Sequence, residues 1–166
     1  MMVCLALVSW GTYAQHDHDI HSTHQENDHK TIPEFKDKNL GAAYGHYIHL
    51  KEALVASNYE KANEAAIELE KALDLVNNGD IAYNDAKNIA SAGALEEQRK
   101  HFTALSNELA KLITGGPLSM GEVYLEYCPM ANGNSGGFWL SNEKEIQNPY
   151  FGASMLTCGE VTKAIN

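Results

Sequence analysis

The sequence predicts a mainly α-helical protein, an antiparallel four-helix bundle followed by a small C-terminal segment rich in strands and turns. Between residues 39 and 114, apolar side chains recur at steps of three and four, which is typical of amphipathic helices. After Pro117 this period gives way to short alternating runs separated by Gly and Asn, which indicate strands and turns. The length of 166 residues and the hydrophobic content of 44% fit a single folded domain, which we place at residues 39–166.

The charge balance bears on the class of partner. Asp and Glu number 22 against 12 Lys and Arg, which gives a formal net charge of −10. A field of this sign repels nucleic-acid phosphates and anionic lipid, so it argues against a nucleic-acid partner and favours cations.

The first fourteen residues resemble an export signal. Residues 1–14 carry no charged side chain, contain a short apolar run at residues 3–8, and end in small and polar residues at Ala14. The run is too short to cross a bilayer, so the sequence does not predict an integral membrane protein. Cleavage after Ala14 would start a periplasmic or otherwise exported chain at Gln15 and would remove Cys4, one of the three cysteines.

A histidine-rich segment follows at residues 15–38, and we predict that it is disordered because it contains few apolar side chains. Imidazoles interleaved with carboxylates can gather copper and borderline divalent ions, because neutral His is a common nitrogen ligand for them. The alternative is a solubilising linker between the export signal and the fold. The candidate ligands are five of the eight histidines, His16, His18, His21, His24 and His29.

The first two helices are predicted from their apolar faces and their ends. Leu40, Tyr44 and Tyr47 share one face of the first helix. The run Ser57-Asn58-Tyr59-Glu60 fits a capping box, which predicts that the second helix begins near Asn58. This helix is predicted to end at Asn77-Asn78-Gly79, with Gly79 in the left-handed conformation.

Two further helices complete the predicted bundle. The third begins at Asp80 and has a thin face of small apolar residues that ends at Gly93. The fourth ends at Gly115-Gly116-Pro117, and its seam is predicted to face the first two helices through Phe102, Leu105 and Leu109. Short links between four amphipathic helices favour an antiparallel arrangement.

Three histidines of the helical part have two interpretations. His46 and His49 are three residues apart on the first helix, so they point the same way and could share a metal ion. Alternatively these two residues and His101 are ordinary surface or partly buried histidines.

The C-terminal segment couples thiols to thioethers within predicted strands and turns. Short strands are predicted at residues 123–127 and 138–140, and around them stand Cys128-Pro129-Met130 and Met155-Leu156-Thr157-Cys158. Soft thiolate and thioether donors favour Cu(I), so Cys128, Met130, Met155 and Cys158 are the candidate ligands for Cu(I) or another soft or borderline ion. The alternative is a structural disulfide between the two cysteines of an exported chain, with both methionines as core filler.

The order of the C-terminal motifs resembles a known family. The motifs are Tyr127-Cys128-Pro129-Met130, Trp139-Leu140-Ser141, Asn148-Pro149-Tyr150-Phe151-Gly152 and Cys158-Gly159. They resemble domain-of-unknown-function family 3347, a bacterial exported domain that also occurs attached to periplasmic adaptor subunits of copper- and silver-type efflux systems. The resemblance covers about residues 40–164 and implies an exported protein connected with metal efflux, with an efflux adaptor subunit as a partner. Cys128-Pro129-Met130 is also similar to a short motif of heavy-metal-binding domains, although Ala131 stands where that motif often has His.

The sequence contains none of the catalytic or cofactor-binding motifs that we looked for in it. It has no phosphate-binding loop, dinucleotide fingerprint or His-Glu-x-x-His motif. We therefore expect a periplasmic heavy-metal-binding protein that sequesters or transfers an ion, most simply copper. The alternative is a non-catalytic interaction module of an envelope or efflux assembly, with Cys128 and Cys158 joined in a disulfide.

Overall fold

The fold was obtained as a computed structural model that describes residues 32–116 and 118–166. It is mainly helical, with a small strand-containing C-terminal part. The four long helices are α1 (Lys38–Val55), α2 (Tyr59–Leu73), α3 (Asp80–Ser91) and α4 (Leu95–Gly115). The strands are β1 (Glu34–Phe35), β2 (Leu118–Met120), β3 (Val123–Cys128), β4 (Gly137–Ser141) and β5 (Glu160–Ile165). The proposed export signal and the five N-terminal histidines lie outside the described residues.

The start of α2 corrects the predicted capping box. The N-cap is Asn58, whose side-chain oxygen accepts a hydrogen bond from the Lys61 backbone N–H at 3.0 Å. Ser57 has a φ of 53°, and its hydroxyl instead accepts a hydrogen bond from Arg99 at 2.9 Å. The capping box predicted Ser57 as the N-cap, and this was wrong by one position. The Ser57 hydroxyl is bonded to Arg99, and Asn58 caps the helix.

The link between α2 and α3 corrects the role given to Gly79. Asn78 adopts the left-handed conformation with a φ of 61°, whereas Gly79 has a φ of −79° and is the N-cap of α3. Gly79 is required for space, because a Cβ atom there would lie 2.7 Å from the Leu73 carbonyl oxygen. Asn is the residue after Gly that tolerates the left-handed region best.

The helices pack on one another in chain order, and α1 also meets α4. Helices α2 and α3 are in contact, and both bury small as well as larger apolar side chains, such as Ala66 and Leu69 on α2 and Ala86 and Ile89 on α3. The α1–α4 contact is aromatic, with the rings of Tyr47 and Phe102 stacked at 5.1 Å between centroids. The predicted seam of α4 is confirmed as core, because Phe102, Leu105 and Leu109 all have 0% exposure.

The strands form two small antiparallel sheets. One pairs β1 with β2, and the other has the order β4-β3-β5. The predicted strands at residues 123–127 and 138–140 are confirmed as β3 and β4, whereas β1, β2 and β5 had no sequence signal. Strand β1 lies inside the segment expected to be disordered up to residue 38, so the folded part extends back at least to Glu34.

The β4-β3-β5 sheet is attached to the helices by the buried side chain of Tyr47. The Tyr47 hydroxyl accepts a hydrogen bond from the Leu140 backbone N–H at 2.9 Å and shares one with the Ser106 hydroxyl at 2.7 Å. One residue of α1 thereby connects α4 and β4. Among the described residues, no helix is long and apolar enough to cross a membrane.

Candidate thiol site

The structure brings together two of the residues that the sequence singled out, Cys128 and Cys158. Their Sγ atoms lie 2.9 Å apart, and both cysteines are free thiols. Cys128 is the last residue of β3 and is completely buried, whereas Cys158 lies in the turn before β5 and is half-buried. We call this pair the thiol site.

Two glycines allow the chain segments at the thiol site to approach closely. Gly137 is the cross-strand partner of Cys128, and a Cβ atom on it would lie 2.6 Å from the Tyr150 ring. Gly159 follows Cys158 with a φ of 145°, and a Cβ atom there would lie 2.7 Å from the Trp139 ring. Any larger residue at either position would push the neighbouring ring away from the sheet.

Asn148 holds the Cys158 turn in place, and sequence reasoning did not single it out as a site residue. It is fully buried, and its side-chain amide donates a hydrogen bond to the Cys158 carbonyl at 2.6 Å. Its backbone N–H donates to the Leu156 carbonyl at 2.8 Å, and its side-chain oxygen accepts from the Tyr150 N–H at 2.8 Å. An Asn before Pro in a turn-rich segment is a signal that could have found it, because Asn side chains commonly bond backbone groups in turns.

The segment that carries Asn148 is in turn attached to the helices. Arg99 of α4 donates a hydrogen bond from Nε to the Pro149 carbonyl at 2.7 Å and from Nη2 to the Leu54 carbonyl of α1 at 2.8 Å. The Tyr150 hydroxyl donates to the Phe138 carbonyl of β4 at 2.6 Å. The position of Cys158 is therefore set by contacts with α1, α4 and β4 together.

The two methionines lie near the cysteines in sequence and are less buried than Cys128. Met130 precedes an irregular turn at residues 131–134 and is 46% exposed. Met155 is half-buried at the end of a 3-10 turn, and its carbonyl accepts a hydrogen bond from the Cys158 N–H at 3.1 Å. The structure thus closes the Met155–Cys158 segment into a turn.

The protonation of the thiol site follows from the closeness of the two sulfurs. The hydrogen bond with Cys128 raises the pKa of Cys158, and partial burial adds to the same effect. Cys158 is therefore a thiol at neutral pH. Because only thiolates ligate metals, an ion that binds here must displace protons.

A buried carboxyl lies on the same strand as Cys128. Glu126 has 0% exposure, and neither of its carboxyl oxygens nor the Trp139 indole nitrogen completes a hydrogen bond of ordinary geometry within the described residues. Burial raises the pKa of Glu126 to about 8, although the Lys51 ammonium and the Trp139 indole act in the opposite direction and Glu143 adds to the increase. Glu126 is consequently mostly protonated at pH 7.

The remaining candidate histidines are not gathered with the cysteines. His46 and His49 lie beside each other on α1, with ring centroids 6.2 Å apart, at a groove that Glu64 and Glu68 of α2 also line. In residues 32–116 and 118–166, no three His, Cys, Asp or Glu side chains are grouped so that they could hold a metal ion. The described thiol site therefore offers two strong ligands.

The fold and the site together define a mainly helical domain that carries a dithiol at its strand-containing end. The family model described as "Protein of unknown function (DUF3347)" matches residues 43–121. The resemblance to this family is thus confirmed for the matched segment, whereas the motifs between Tyr127 and Gly159 lie beyond it. The matched segment ends before Cys128, so the thiol site lies beyond it. No curated protein and no solved structure matches the chain.

Proposed function

We propose that this chain is an exported, non-catalytic protein that binds a soft ion, Cu(I), at the thiol site and sequesters or transfers it in connection with metal efflux. The helices would serve as the rigid support, arranged as an antiparallel four-helix bundle. The observation that carries the proposal is the 2.9 Å contact between the sulfurs of Cys128 and Cys158. The two cysteines are thirty positions apart in the sequence, and of the two the half-buried Cys158 is the one accessible from solvent.

The donor set favours a soft ion of low coordination number. Structural zinc sites use four Cys or His ligands, and the described residues supply only two beside each other. Thiolates, supported by the thioether of Met155 or Met130, are donors that select Cu(I) over hard ions such as Mg²⁺.

An ion cannot sit between the sulfurs without some movement. Metal–sulfur bonds of about 2.3 Å on either side of an ion require the sulfurs to be farther apart than the observed 2.9 Å. The movement would be a rotation of the half-buried Cys158 side chain while Asn148 keeps its backbone in place, because Cys128 is completely buried in β3. Loading would therefore turn the Cys158 side chain outward.

Export and an efflux adaptor as partner are part of the same proposal. They are supported by the apolar start of the sequence and by the motifs of the C-terminal segment. The measurement is the intact mass of the protein from its native host, which we expect to begin at Gln15. A soluble product that keeps Met1 to Ala14 would contradict the export.

Metal binding is tested with the reduced full chain and Cu(I) presented by a competing chelator. We expect about one Cu(I) per chain, and we expect the Cys128→Ser/Cys158→Ser variant to lose it. In the full chain, which keeps residues 1–14, the Cys4→Ser variant is the matched control and should bind normally. A double variant that keeps full Cu(I) affinity would refute the site.

The histidine-rich segment is tested separately, because it would hold different ions. Deleting residues 16–29 should abolish weak binding of Cu(II), Ni(II) or Zn(II) and leave Cu(I) binding intact. The weak binding should disappear below about pH 6, because protonated imidazole cannot ligate. If the deletion changes neither, the segment is a linker.

A second candidate function is supported by the same sulfur contact. A disulfide between Cys128 and Cys158 would lock the turn onto the sheet of an interaction module in an envelope or efflux assembly. A groove of about 810 Å³ between α4 and the sheet, lined in part by Ala104, Leu125 and Ile165, offers such a module a surface. Alkylation of the protein taken directly from its host distinguishes the two, because a permanently bridged pair would not react.

A further inference from the structure

The two thiols of the site differ sharply in how far another molecule can reach them. Cys128 has 0% exposure and is enclosed by the pairing of β3 with β4, where it faces Gly137. Cys158 is half-buried, and the turn around it is open, since Leu156 is 39% exposed. A disulfide that approaches from solvent therefore meets the sulfur of Cys158.

We propose that the thiol site is a thiol–disulfide exchange site, in which Cys158 reacts first with an incoming disulfide and Cys128 resolves the product. This goes beyond the proposed metal binding and does not depend on it, because it concerns the metal-free protein. Metal and disulfide exclude each other at these sulfurs, so exchange would also determine when an ion can bind.

The reaction has two steps. In the first, the Cys158 thiolate attacks one sulfur of a small-molecule disulfide, the reagent's S–S bond breaks, and one thiolate leaves and takes up the proton lost by Cys158. In the second, Cys128 attacks the Cys158 sulfur of the mixed disulfide, and the second reagent thiolate leaves with the proton of Cys128. The protein loses two electrons and two protons, and the reagent becomes two thiols.

The geometry favours the second step. The sulfurs are already 2.9 Å apart, and the Asn148 hydrogen bond to the Cys158 carbonyl at 2.6 Å holds the turn against the end of β3. An attacking group held in place reacts far faster than one that must diffuse.

The test uses metal-free protein, an aromatic disulfide whose released thiolate is coloured, and a Cys4→Ser background in every sample. The protein with both Cys128 and Cys158 should release two thiolates per chain and keep no adduct by mass. Cys128→Ser should release one thiolate and keep a stable adduct on Cys158. Cys158→Ser should react at least about a hundred-fold more slowly than Cys128→Ser, because Cys128 is reached only when the site opens. The rate of Cys128→Ser should increase with pH.

Two outcomes would overturn the proposal. One is a comparable rate for the two single variants, and the other is a lasting adduct on the protein with both cysteines. If a variant does not fold, the order of attack is still read from the unsubstituted pair. Acid quenching early in the reaction and peptide mass analysis should find the adduct on Cys158, and an adduct on Cys128 would refute the assigned order.

Discussion

Replacing Glu126 by Gln should change how the stability of the protein depends on pH. The carboxyl is completely buried on β3, and its neighbours are the Lys51 ammonium of α1, the Trp139 indole of β4 and the more distant Glu143 carboxyl. Burial outweighs the attraction of Lys51, and the pKa of Glu126 is raised to about 8. The folded protein therefore holds a proton that the unfolded chain has lost.

The sign and the size follow from this difference. The unfolded carboxyl titrates near its ordinary pKa of 4.5, so between that value and about 8 the folded state binds more protons than the unfolded state. Stability must then fall as pH rises through this range. From about pH 5 to pH 8 the loss attributable to Glu126 is about 3 to 4 kcal/mol, at 1.36 kcal/mol for each unit of pKa.

The assay is urea unfolding of the reduced protein at several pH values between about 5 and 8. The Glu126→Gln variant should be insensitive to this titration, so its stability relative to the wild type should improve steadily with pH. Glu160→Gln on the exposed strand β5 is the matched control and should follow the wild type. If plots of unfolding free energy against pH are parallel for all three proteins, Glu126 is charged in the folded state, and the reasoning from burial fails.

Three further substitutions, two of them with a control variant, test the fold and the site by unfolding measurements. Leu105→Ala should lower the unfolding free energy by about 2 to 5 kcal/mol because Leu105 is fully buried. Ile81→Ala, at a position 61% exposed, is the control and should lower it little. Equal losses would place α4 at the surface. Asn148→Ala should cost about 2 to 4 kcal/mol, because it leaves the Cys158 carbonyl and the Tyr150 N–H without partners, and a neutral effect would mean that the turn is held by other contacts. Asn58→Ala should cost about 1 kcal/mol because the Asn58 side chain caps α2, whereas Glu60→Gln should cost less than about 0.5 kcal/mol. The reverse order would show that Glu60 contributes to a capping box after all.

The helices could be predicted from the sequence because their signal is local. Apolar residues at steps of three and four identify the buried face of a helix whatever it packs against. Leu40, Tyr44 and Tyr47 on α1 are buried as that pattern required. The ends were harder, because Ser57 and Asn58 are both good caps. The choice between them depends on Arg99, which lies on α4 and bonds the Ser57 hydroxyl.

The strands were predictable only where the sequence has an alternating or short apolar run, as in β3 and β4. Strand β5 has no such pattern, because five of its six residues are exposed, and it is a strand through its backbone pairing with β3. The residue types of the thiol site were visible in the sequence, but its geometry was not. The meeting of Cys128 and Cys158 depends on the β3–β5 register and on Asn148, neither of which can be deduced from spacing.

The buried carboxyl and the thiol site are coupled through β3, and this leads to a last prediction. Glu126 and Cys128 both lie on the buried face of the strand, about 7 Å apart as alternate residues. Two thiolates that hold one Cu(I) carry a net negative charge, which a charged Glu126 would oppose by about 2 kcal/mol at an effective dielectric constant of about 20.

Because the pKa of Glu126 is about 8, this repulsion has little effect on binding at pH 7 and grows as the pH rises above 8. The ratio of the Cu(I) affinities of Glu126→Gln and the wild type should therefore be close to one near pH 6 and rise to about ten or more near pH 9. The ratio cancels the pH dependence of Cu(I) affinity that comes from deprotonation of the thiols, because this dependence is the same in both proteins. The measurement is chelator competition at each pH, with Glu160→Gln as the control, and a ratio that stays constant would show that Glu126 has no electrostatic influence on the site.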